Sequence, residues 1–302
     1  MSSIRSKLVI ASVKMGGLLH DKIDETNLAE KRQRFTKLEK FFPVSKSVKI
    51  TEARDKDFKG EWLDAPSVRA DKVMLYLHGG GFVFNSTKLH RDTISRIAKA
   101  AQIRAFSLDY SLAPEHPYPT ALNEAVASYK WLLAKGFKAK NIVVAGDSAG
   151  GALALSLLHR VRKDKLPFPA CAVVLSPATD ASLTNSTIEV NRSKDFYINP
   201  DSLKFFIRAY FQQTPTTDPV ASPLFGSLRG FPPLLIHVDK DEIMNSDSVR
   251  LARKARHEDV HVILYQSEGL FHVWHVFARY MPEAKKSIKD IGEFIKLYLD
   301  AK

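Results

Sequence analysis

The feature that most constrains the fold is a regular alternation of short β-rich runs with longer helical runs after about residue 46. Such alternation predicts a mainly parallel sheet covered by helices, because parallel strands need long crossover connections. The 302 residues suffice for one α/β domain with an insertion. The runs that predict strands are 48–53, 60–63, 73–77, 103–109, 142–145, 171–175, 234–238 and 260–265, the first two as a leading hairpin. The runs that predict helices are 88–101, 119–135, 148–163, 246–257 and 283–299.

Two segments interrupt this alternation. Residues 1–45 are helical and basic, and residues 181–218 are rich in aromatic side chains that need a surface to cover. Either these aromatics belong to a helix that packs on the core, or they roof a pocket, and the two readings are compatible. The aromatics of the second segment are Phe196, Tyr197, Phe205, Phe206, Tyr210 and Phe211.

The N-terminal apolar stretch 8–19 imitates a signal peptide, but Lys14 interrupts it and no A-x-A-like cleavage site follows. We therefore predict an amphipathic helix rather than a targeting segment. No window of the chain approaches the roughly 18 apolar residues of a membrane span. The residues expected near one face of this helix are Ile4, Leu8, Val9, Ser12 and Met15 or Gly16.

The net charge of +12 makes nucleic acid and anionic membranes two partners to consider. Residues 1–60 hold 14 basic and 8 acidic side chains, half of the surplus, but no long basic run. This mixture favours a solvated basic face, with no nucleic-acid partner and no integral membrane association. The single cysteine, Cys171, cannot form an internal disulfide and is expected to be a buried small hydrophobe. The expected location is cytoplasmic.

A glycine-flanked serine follows the predicted strand 142–145, in residues 146–150 (GDSAG). A strand, a sharp turn and a helix in succession are what a nucleophile elbow requires. The turn would place Ser148 at a helix N-terminus, where developing negative charge is favoured. The alternative is a helix-capping serine in a glycine-rich turn.

A second glycine-rich motif, residues 78–82 (HGGGF), directly follows the predicted strand 73–77. Acyl transfer creates an oxyanion, and its stabilisation requires N–H donors about 3 Å away. Glycines suit this task because no side chain blocks the approach. We predict the N–H groups of Gly80, Gly81 and Ala149 as the donors; the alternative is a flexible turn.

A serine nucleophile needs a base, and the base needs an acid that fixes its tautomer. With this type of elbow the chain order is serine, acid, histidine. Of ten histidines, His272 in the loop after the last strand is the predicted base, with His275 as its rival. The loop after strand 234–238 offers four acids; we predict Asp241, with Asp239 as the alternative, and expect Glu242 and Asp247 to be solvated.

Residues 257–261 (HEDVH) match the zinc-protease pattern H-E-x-x-H. That pattern works only when both histidines share one helix face. Here the match straddles the end of a predicted helix and the start of a strand, so the two imidazoles should not converge. We predict no metal and no cofactor.

The motifs together resemble those of one family, the bacterial hormone-sensitive-lipase-like (family IV) carboxylesterases of the α/β-hydrolase fold. Besides the two glycine-rich motifs, the resemblance rests on residues 109–119 (DYSLAPEHPYP), 176–180 (SPATD) and 218–225 (DPVASPLF), in the expected order. It implies Ser148 as nucleophile, Asp241 as acid and His272 as base.

The resemblance also implies an architecture and a substrate class. Residues 46–180 and 219–302 would form the hydrolase core, an eight-stranded mostly parallel sheet flanked by helices. Residues 1–45 and 181–218 would form a helical cap over the acyl and alcohol pockets. The expected substrate is a small ester with a short or medium acyl chain, or a lactone or bulky-alcohol ester. The aromatics expected at the substrate pocket are Phe82, Phe84, Phe196, Phe205, Phe206, Tyr210 and Phe271.

The chain departs from the family pattern at two positions, with Ser111 in place of the usual Arg and Asn85 in place of Gly. Losing the Arg removes a charge partner, with Glu115 as a candidate for the acid left unpaired. Glu115 and Asp147 are expected to hold loops rather than to act in catalysis. The resemblance further implies pairing into a homodimer. The competing function is a catalytically silent small-molecule-binding protein on the same fold; a peripheral membrane or nucleic-acid binder is a third.

Overall fold

A computed structural model describes residues 2–16, 21–84 and 86–301. Its centre is one eight-stranded sheet, which confirms the predicted fold class. The strands lie in the order β1-β2-β4-β3-β5-β6-β7-β8; β2 is antiparallel to both neighbours, and all other pairs are parallel. The strands are β1 (Lys49–Arg54), β2 (Lys59–Asp64), β3 (Arg69–Leu77), β4 (Ile103–Leu108), β5 (Ile142–Asp147), β6 (Cys171–Leu175), β7 (Leu234–Asp239) and β8 (Val262–Ser267).

The five predicted helices between and after the strands are confirmed, each within two residues of its expected bounds. Two shorter helices, α6 and α7, lie in the aromatic segment 181–218, and α1 and α2 precede the sheet. The helices are α1 (Ile4–Gly16), α2 (Leu28–Leu38), α3 (Thr87–Ala101), α4 (Thr120–Ala134), α5 (Ala149–Lys163), α6 (Thr187–Val190), α7 (Leu203–Phe211), α8 (Asn245–His257) and α9 (Pro282–Leu299).

Helices cover both faces of the sheet, so the central strands read as continuous apolar runs rather than as alternating patterns. Alternate residues of β3 point to opposite sides: Leu75 joins the core under α4 and α5, and Met74 joins the core under α3 and α9. Cys171 is buried in β6, as expected. The strand ends that lead into the functional loops are therefore held by two packed cores.

The parallel central strands bring their carboxyl ends to one edge of the sheet. The loops that follow β3, β5, β7 and β8 start at this edge, and they carry the two glycine-rich motifs, the acids after Val238 and His272. The topology therefore gathers the predicted site residues before any side-chain contact is considered.

Helix α1 confirms the predicted N-terminal helix, but it does not bury the expected face. Ile4, Leu8 and Met15 are strongly exposed, whereas Ser6 is buried and Val9 is half-buried. Residues 17–20, of which 17–19 belong to the predicted stretch, and Asn85 lie outside the described residues. In the part of the chain that is described, no helix is both long enough and apolar enough to cross a membrane.

Candidate active site

Ser148 occupies the sharp turn between β5 and α5. Its backbone angles, φ of 53° and ψ of −124°, lie in a region that residues other than glycine rarely adopt, as a strained elbow requires. Its N–H donates to the carbonyl of Leu175 at 2.8 Å. A Cβ at Gly146 would meet the Leu77 carbonyl oxygen at 2.7 Å, and one at Gly150 would collide with that of His78. The two glycines are therefore required by close backbone packing.

The glycine-rich loop after β3 lies against this turn. Gly80 has φ of 122° and Gly81 has φ of 59°, conformations that glycine adopts without strain. A Cβ at Gly81 would press on the ring of Phe206 at 2.9 Å. Gly80, Gly81 and Ala149 all line the cavity that Ser148 also lines. The three predicted oxyanion donors are thus gathered around one space.

His272 lines the same cavity and is buried. Its Nδ1 lies 2.7 Å from Oε2 of Glu242, so this nitrogen donates to the carboxylate. Nε2 has no hydrogen-bond partner among the described residues. The proton is therefore held on Nδ1, and the lone pair on Nε2 is available as a base.

The prediction that Asp241 pairs with the histidine is wrong, because Glu242 takes that place. Asp241 is part-exposed, with Lys194 at 3.9 Å from its carboxylate. Asp239, the alternative, instead accepts from the Ser267 hydroxyl at 2.6 Å and the Leu270 N–H at 3.0 Å. Asp239 thus holds the loop that carries the histidine rather than the histidine ring.

Glu242 and Asp247, expected to be solvated, are both buried. Asp247 accepts from the backbone N–H groups of Thr179 and Asp180 at 2.6 and 3.0 Å, and burial raises its pKa to about 7. The sequence carried no signal for Glu242, because four acids within nine residues differ only in the direction in which the turn after β7 points them.

The electrostatics at His272 favour its protonated form. Burial alone would lower the pKa of this imidazole, but the hydrogen bond and charge of Glu242 outweigh burial, assisted by the charge of Asp195. The net result is a pKa above the usual value for histidine. An imidazole of this kind is well suited to accept a proton from a neighbouring hydroxyl.

His275, the rival base, has a different environment. Its Nε2 lies 3.0 Å from Nδ1 of His237, and no carboxylate contacts it among the described residues. Burial, followed by the charges of His237 and His272, holds its pKa well below the usual value. His275 therefore remains neutral and part of the core.

Asp147 directly precedes the turn at Ser148 and is buried. It accepts from the Tyr76 hydroxyl at 2.8 Å and from Nε2 of His90 at 3.2 Å. Burial alone would raise the pKa of Asp147. The charge and hydrogen bond of His90 have the opposite and larger effect, so the pKa of Asp147 lies below its usual value. A Cβ on Gly79 would collide with this carboxylate. Asp147 thus joins the two glycine-rich loops, in line with the role expected of it.

Glu115 has a cationic partner even though Ser111 replaces the family's arginine. Arg32 of α2 contacts both carboxylate oxygens at 2.6 and 2.9 Å, and this hydrogen bonding lowers the pKa of Glu115 to about 2. Arg32 also donates to the carbonyls of Val83 and Ala113, each at 2.7 Å. Arg32 of the N-terminal segment thus supplies the positive charge that is missing at position 111. The sequence did not predict this pairing.

The cavity over Ser148 and His272 has a volume of about 900 Å³, and aromatic side chains form much of its lining. Of the seven aromatics predicted at the substrate pocket, Phe82, Phe84, Phe196 and Phe206 line it. Phe205, Tyr210 and Phe271 do not, and they are buried behind it. Tyr210 stacks on Phe82 with 3.7 Å between ring centroids, so it supports the wall without facing the space.

The zinc-protease pattern falls on a junction, as predicted: α8 ends at His257 and β8 begins at Val262. Across residues 2–16, 21–84 and 86–301, no group of three or more His, Cys, Asp or Glu side chains is placed to hold a metal ion.

Comparison with known proteins places this chain in a family. A model of the alpha/beta hydrolase fold matches residues 74–276. An esterase from Acinetobacter venetianus is 34% identical over 256 residues, which is 84% of each chain. An acetyl-hydrolase from Streptomyces hygroscopicus is 33% identical over 236 residues, 78% of this chain and 79% of that protein.

Solved structures of esterases are similar to this chain over nearly its whole length. The crystal structure of an esterase from the bacterial hormone-sensitive lipase family is 34% identical, with a TM-score of 0.93 over 99% of both chains. The esterase EstE5, in a crystal soaked with ethyl alcohol, is 35% identical, with a TM-score of 0.94 over 99% of this chain and all of that one. The chain therefore belongs to the alpha/beta hydrolase fold family. Within it, the protein is a hormone-sensitive-lipase-like carboxylesterase, a carboxylic ester hydrolase.

Proposed function

We propose that the protein hydrolyses short- to medium-chain acyl esters with a Ser148–His272–Glu242 triad. The observation that carries the proposal is the buried contact of His272 Nδ1 with Glu242 at 2.7 Å, on the wall of the cavity that also holds the strained Ser148. A serine hydroxyl, a histidine and a buried carboxylate are the parts needed to activate a hydroxyl, and here they follow the chain order serine, acid, histidine.

The proposed reaction has two halves. The hydroxyl oxygen of Ser148 attacks the ester carbonyl carbon while Nε2 of His272 takes the hydroxyl proton, and Glu242 stabilises the imidazolium. The N–H groups of Gly80, Gly81 and Ala149 bind the oxyanion. As the carbon–oxygen bond to the alcohol breaks, the leaving alkoxide takes the proton from His272. In the second half, the same nitrogen takes a proton from water as the water oxygen attacks the acyl carbon. The bond from that carbon to the Ser148 oxygen then breaks, the serine oxygen takes the proton back from His272, and the acid is released.

The cavity supports apolar substrates. Its volume of about 900 Å³ lies within the range of small-molecule sites, and Phe82, Phe84 and Phe206 are among its walls. A relative named acetyl-hydrolase supports a short acyl chain. Lactones and esters of bulky alcohols are open to the same chemistry. Because residues of segments 1–45 and 181–218 both line the cavity, we propose that these segments form a cap over it.

The test is hydrolysis of p-nitrophenyl esters from acetate to palmitate, with folding checked by circular dichroism. We expect short-chain activity in the wild type and a loss of several orders of magnitude in Ser148→Ala and His272→Ala. An organophosphonate should add covalently to Ser148 in the wild type, as detected by mass spectrometry. The exposed His257 provides the matched control, and His257→Ala should retain full activity.

Two outcomes would refute the proposal. Activity confined to emulsified long-chain triglycerides would contradict the substrate class. A folded wild type that neither hydrolyses any of these esters nor reacts with the organophosphonate would favour the silent small-molecule-binding protein.

A further inference from the structure

Helix α1 has apolar residues on two opposite faces. Ile4, Leu8 and Met15 lie at spacings of four and seven residues, so they form one stripe along the helix. Their side chains are between 65 and 83% exposed. The opposite face packs on the protein, with Ser6 buried and Val13 half-buried. The exposed stripe is therefore not needed to attach the helix to the protein, because the opposite face already packs on it.

Cations flank the exposed stripe. Arg5 and Lys7 lie on either side of it, and Lys14 stands over the ring of Phe196 at 4.6 Å from its centroid. Helix α1 contains no acidic residue. The neighbouring acid Glu283 is occupied by hydrogen bonds from the Ser3 and Ser6 hydroxyls. An apolar stripe between basic flanks is the pattern of a helix that lies in a lipid–water interface.

The stripe borders the mouth of the active-site cavity. Leu8 belongs both to the stripe and to the cavity lining. Phe41 and Tyr280 also line the cavity while exposing 51 and 40% of their surfaces, and the Tyr280 hydroxyl donates to the Phe41 carbonyl at 2.5 Å. Lys37 adds a cationic side chain to the same lining, whereas the guanidinium of Arg34, also in the lining, lies 3.7 Å from Asp21 and 3.9 Å from Glu30. Apolar and cationic side chains thus lie together at the exposed border of the cavity over Ser148 and His272.

We propose that this rim, defined by Ile4, Leu8, Met15, Phe41 and Tyr280, docks on an anionic lipid surface. The surface would take the apolar stripe into the boundary between headgroups and acyl chains, while the flanking cations contact the lipid phosphates. Docking would present the cavity mouth to esters dissolved in the lipid. The inference goes beyond the proposed reaction, and binding does not depend on Ser148.

Two other occupants fit the rim less well. A second copy of this chain would bring the same cations face to face, which opposes pairing. A nucleic acid would use the cations but leave the apolar stripe without a function, because phosphate contacts need no exposed Leu or Met. An anionic lipid surface uses both features.

The experiment is co-sedimentation of the full chain with phosphatidylcholine vesicles, with and without phosphatidylglycerol, at low and high salt. Two double variants test the rim: Ile4→Gln with Met15→Gln, and Arg5→Gln with Lys7→Gln. None of these four residues lines the cavity. Matched controls are the exposed Leu297→Gln on α9, and Lys138→Gln with Lys140→Gln at the opposite edge of the sheet.

The wild type should bind vesicles that contain phosphatidylglycerol and lose that binding at high salt. Each double variant should weaken partitioning by about tenfold or more, because each removes two of the contributing groups. The controls should bind as the wild type does, and Ser148→Ala should bind equally well. Hydrolysis of soluble p-nitrophenyl acetate should be unchanged in both double variants, which separates this inference from the proposed reaction.

Any of four results would overturn the inference. The wild type could fail to sediment with anionic vesicles, or the Ile4/Met15 variant could bind them as tightly as the wild type. Alternatively, sedimentation velocity could reveal a dimer that the Ile4/Met15 variant abolishes, which would assign the rim to a second copy. Retention on DNA without vesicle binding, lost only in the Arg5/Lys7 variant, would likewise count against a lipid surface.

Discussion

Ser176 donates its hydroxyl hydrogen to Oε1 of Glu242 over 2.9 Å. The same oxygen accepts the Asp239 N–H at 2.7 Å, while the other carboxylate oxygen binds His272. Ser176 has φ of 48°, directly after β6. Two donors on one oxygen leave the carboxylate a single orientation, in which Oε2 faces the histidine. The loop after β6 therefore helps to select which of the acids after β7 serves the site.

The first prediction compares neighbouring acids. Glu242→Gln should lower kcat by about 10³- to 10⁴-fold on p-nitrophenyl butyrate, because the amide can no longer hold the required tautomer or stabilise the imidazolium. Asp241→Asn is the matched control, and it should stay within about twofold of the wild type, since neutralising a part-exposed surface side chain has little effect. A larger loss in Asp241→Asn than in Glu242→Gln would contradict the assignment.

The second prediction concerns pH. As the proposed base, His272 can accept a proton only when it is neutral, and its pKa is raised above the usual value, so kcat/KM should rise with pH through a limb above that of an ordinary histidine. Glu242→Gln removes the main cause of the raised pKa, so the limb should move to lower pH. Asp195→Asn removes a carboxylate whose effect on the pKa of His272 is smaller, so this variant should move the limb less, in the same direction. A limb that stays in place in both variants would show that another group titrates.

The third prediction uses two neighbouring aromatics of α7. Phe206 lines the cavity and packs on the ring of Phe84 at 5.8 Å, whereas Phe205 is buried away from the cavity. Phe206→Ala should widen the cavity and increase the rate on longer p-nitrophenyl esters relative to acetate, by up to about tenfold. Phe205→Ala should leave the acyl-chain profile unchanged and lower the free energy of unfolding by about 3–5 kcal/mol. Equal profiles for the two variants would exclude Phe206 from substrate selection.

The sequence predicted the sheet and its helices because each carries a local signal. Buried apolar runs such as 171–175 and the helical pattern after Ser148 do not depend on distant residues. The same holds for the elbow, since the glycines at 146 and 150 answer a local steric demand. The face that α1 exposes was not predictable, because both of its faces are apolar and only the contact with α9 decides between them.

Choices that depend on long-range contacts were not predictable from the sequence. Glu242 is selected by Ser176, which lies 66 residues earlier, and Glu115 finds Arg32 across 83 residues. Phe205 and Phe206 differ only in the direction they take from one turn of α7. Residue type and spacing predicted Ser148 and His272, which line one cavity, whereas orientation in the fold decides which acid contacts His272 and which aromatics line that cavity.

The last prediction concerns Arg32, which ties α2 to the loop of the proposed oxyanion donors. Its two bonds to the carbonyls of Val83 and Ala113 are part-buried, whereas its pairing with Glu115 is exposed. Arg32→Ala should therefore lower the free energy of unfolding by about 1–3 kcal/mol, measured by urea denaturation. Glu115→Gln breaks only the exposed pair and should cost about 0–1 kcal/mol. If Glu115→Gln destabilised the protein as much as Arg32→Ala, the charge pair rather than the backbone contacts would hold α2 in place.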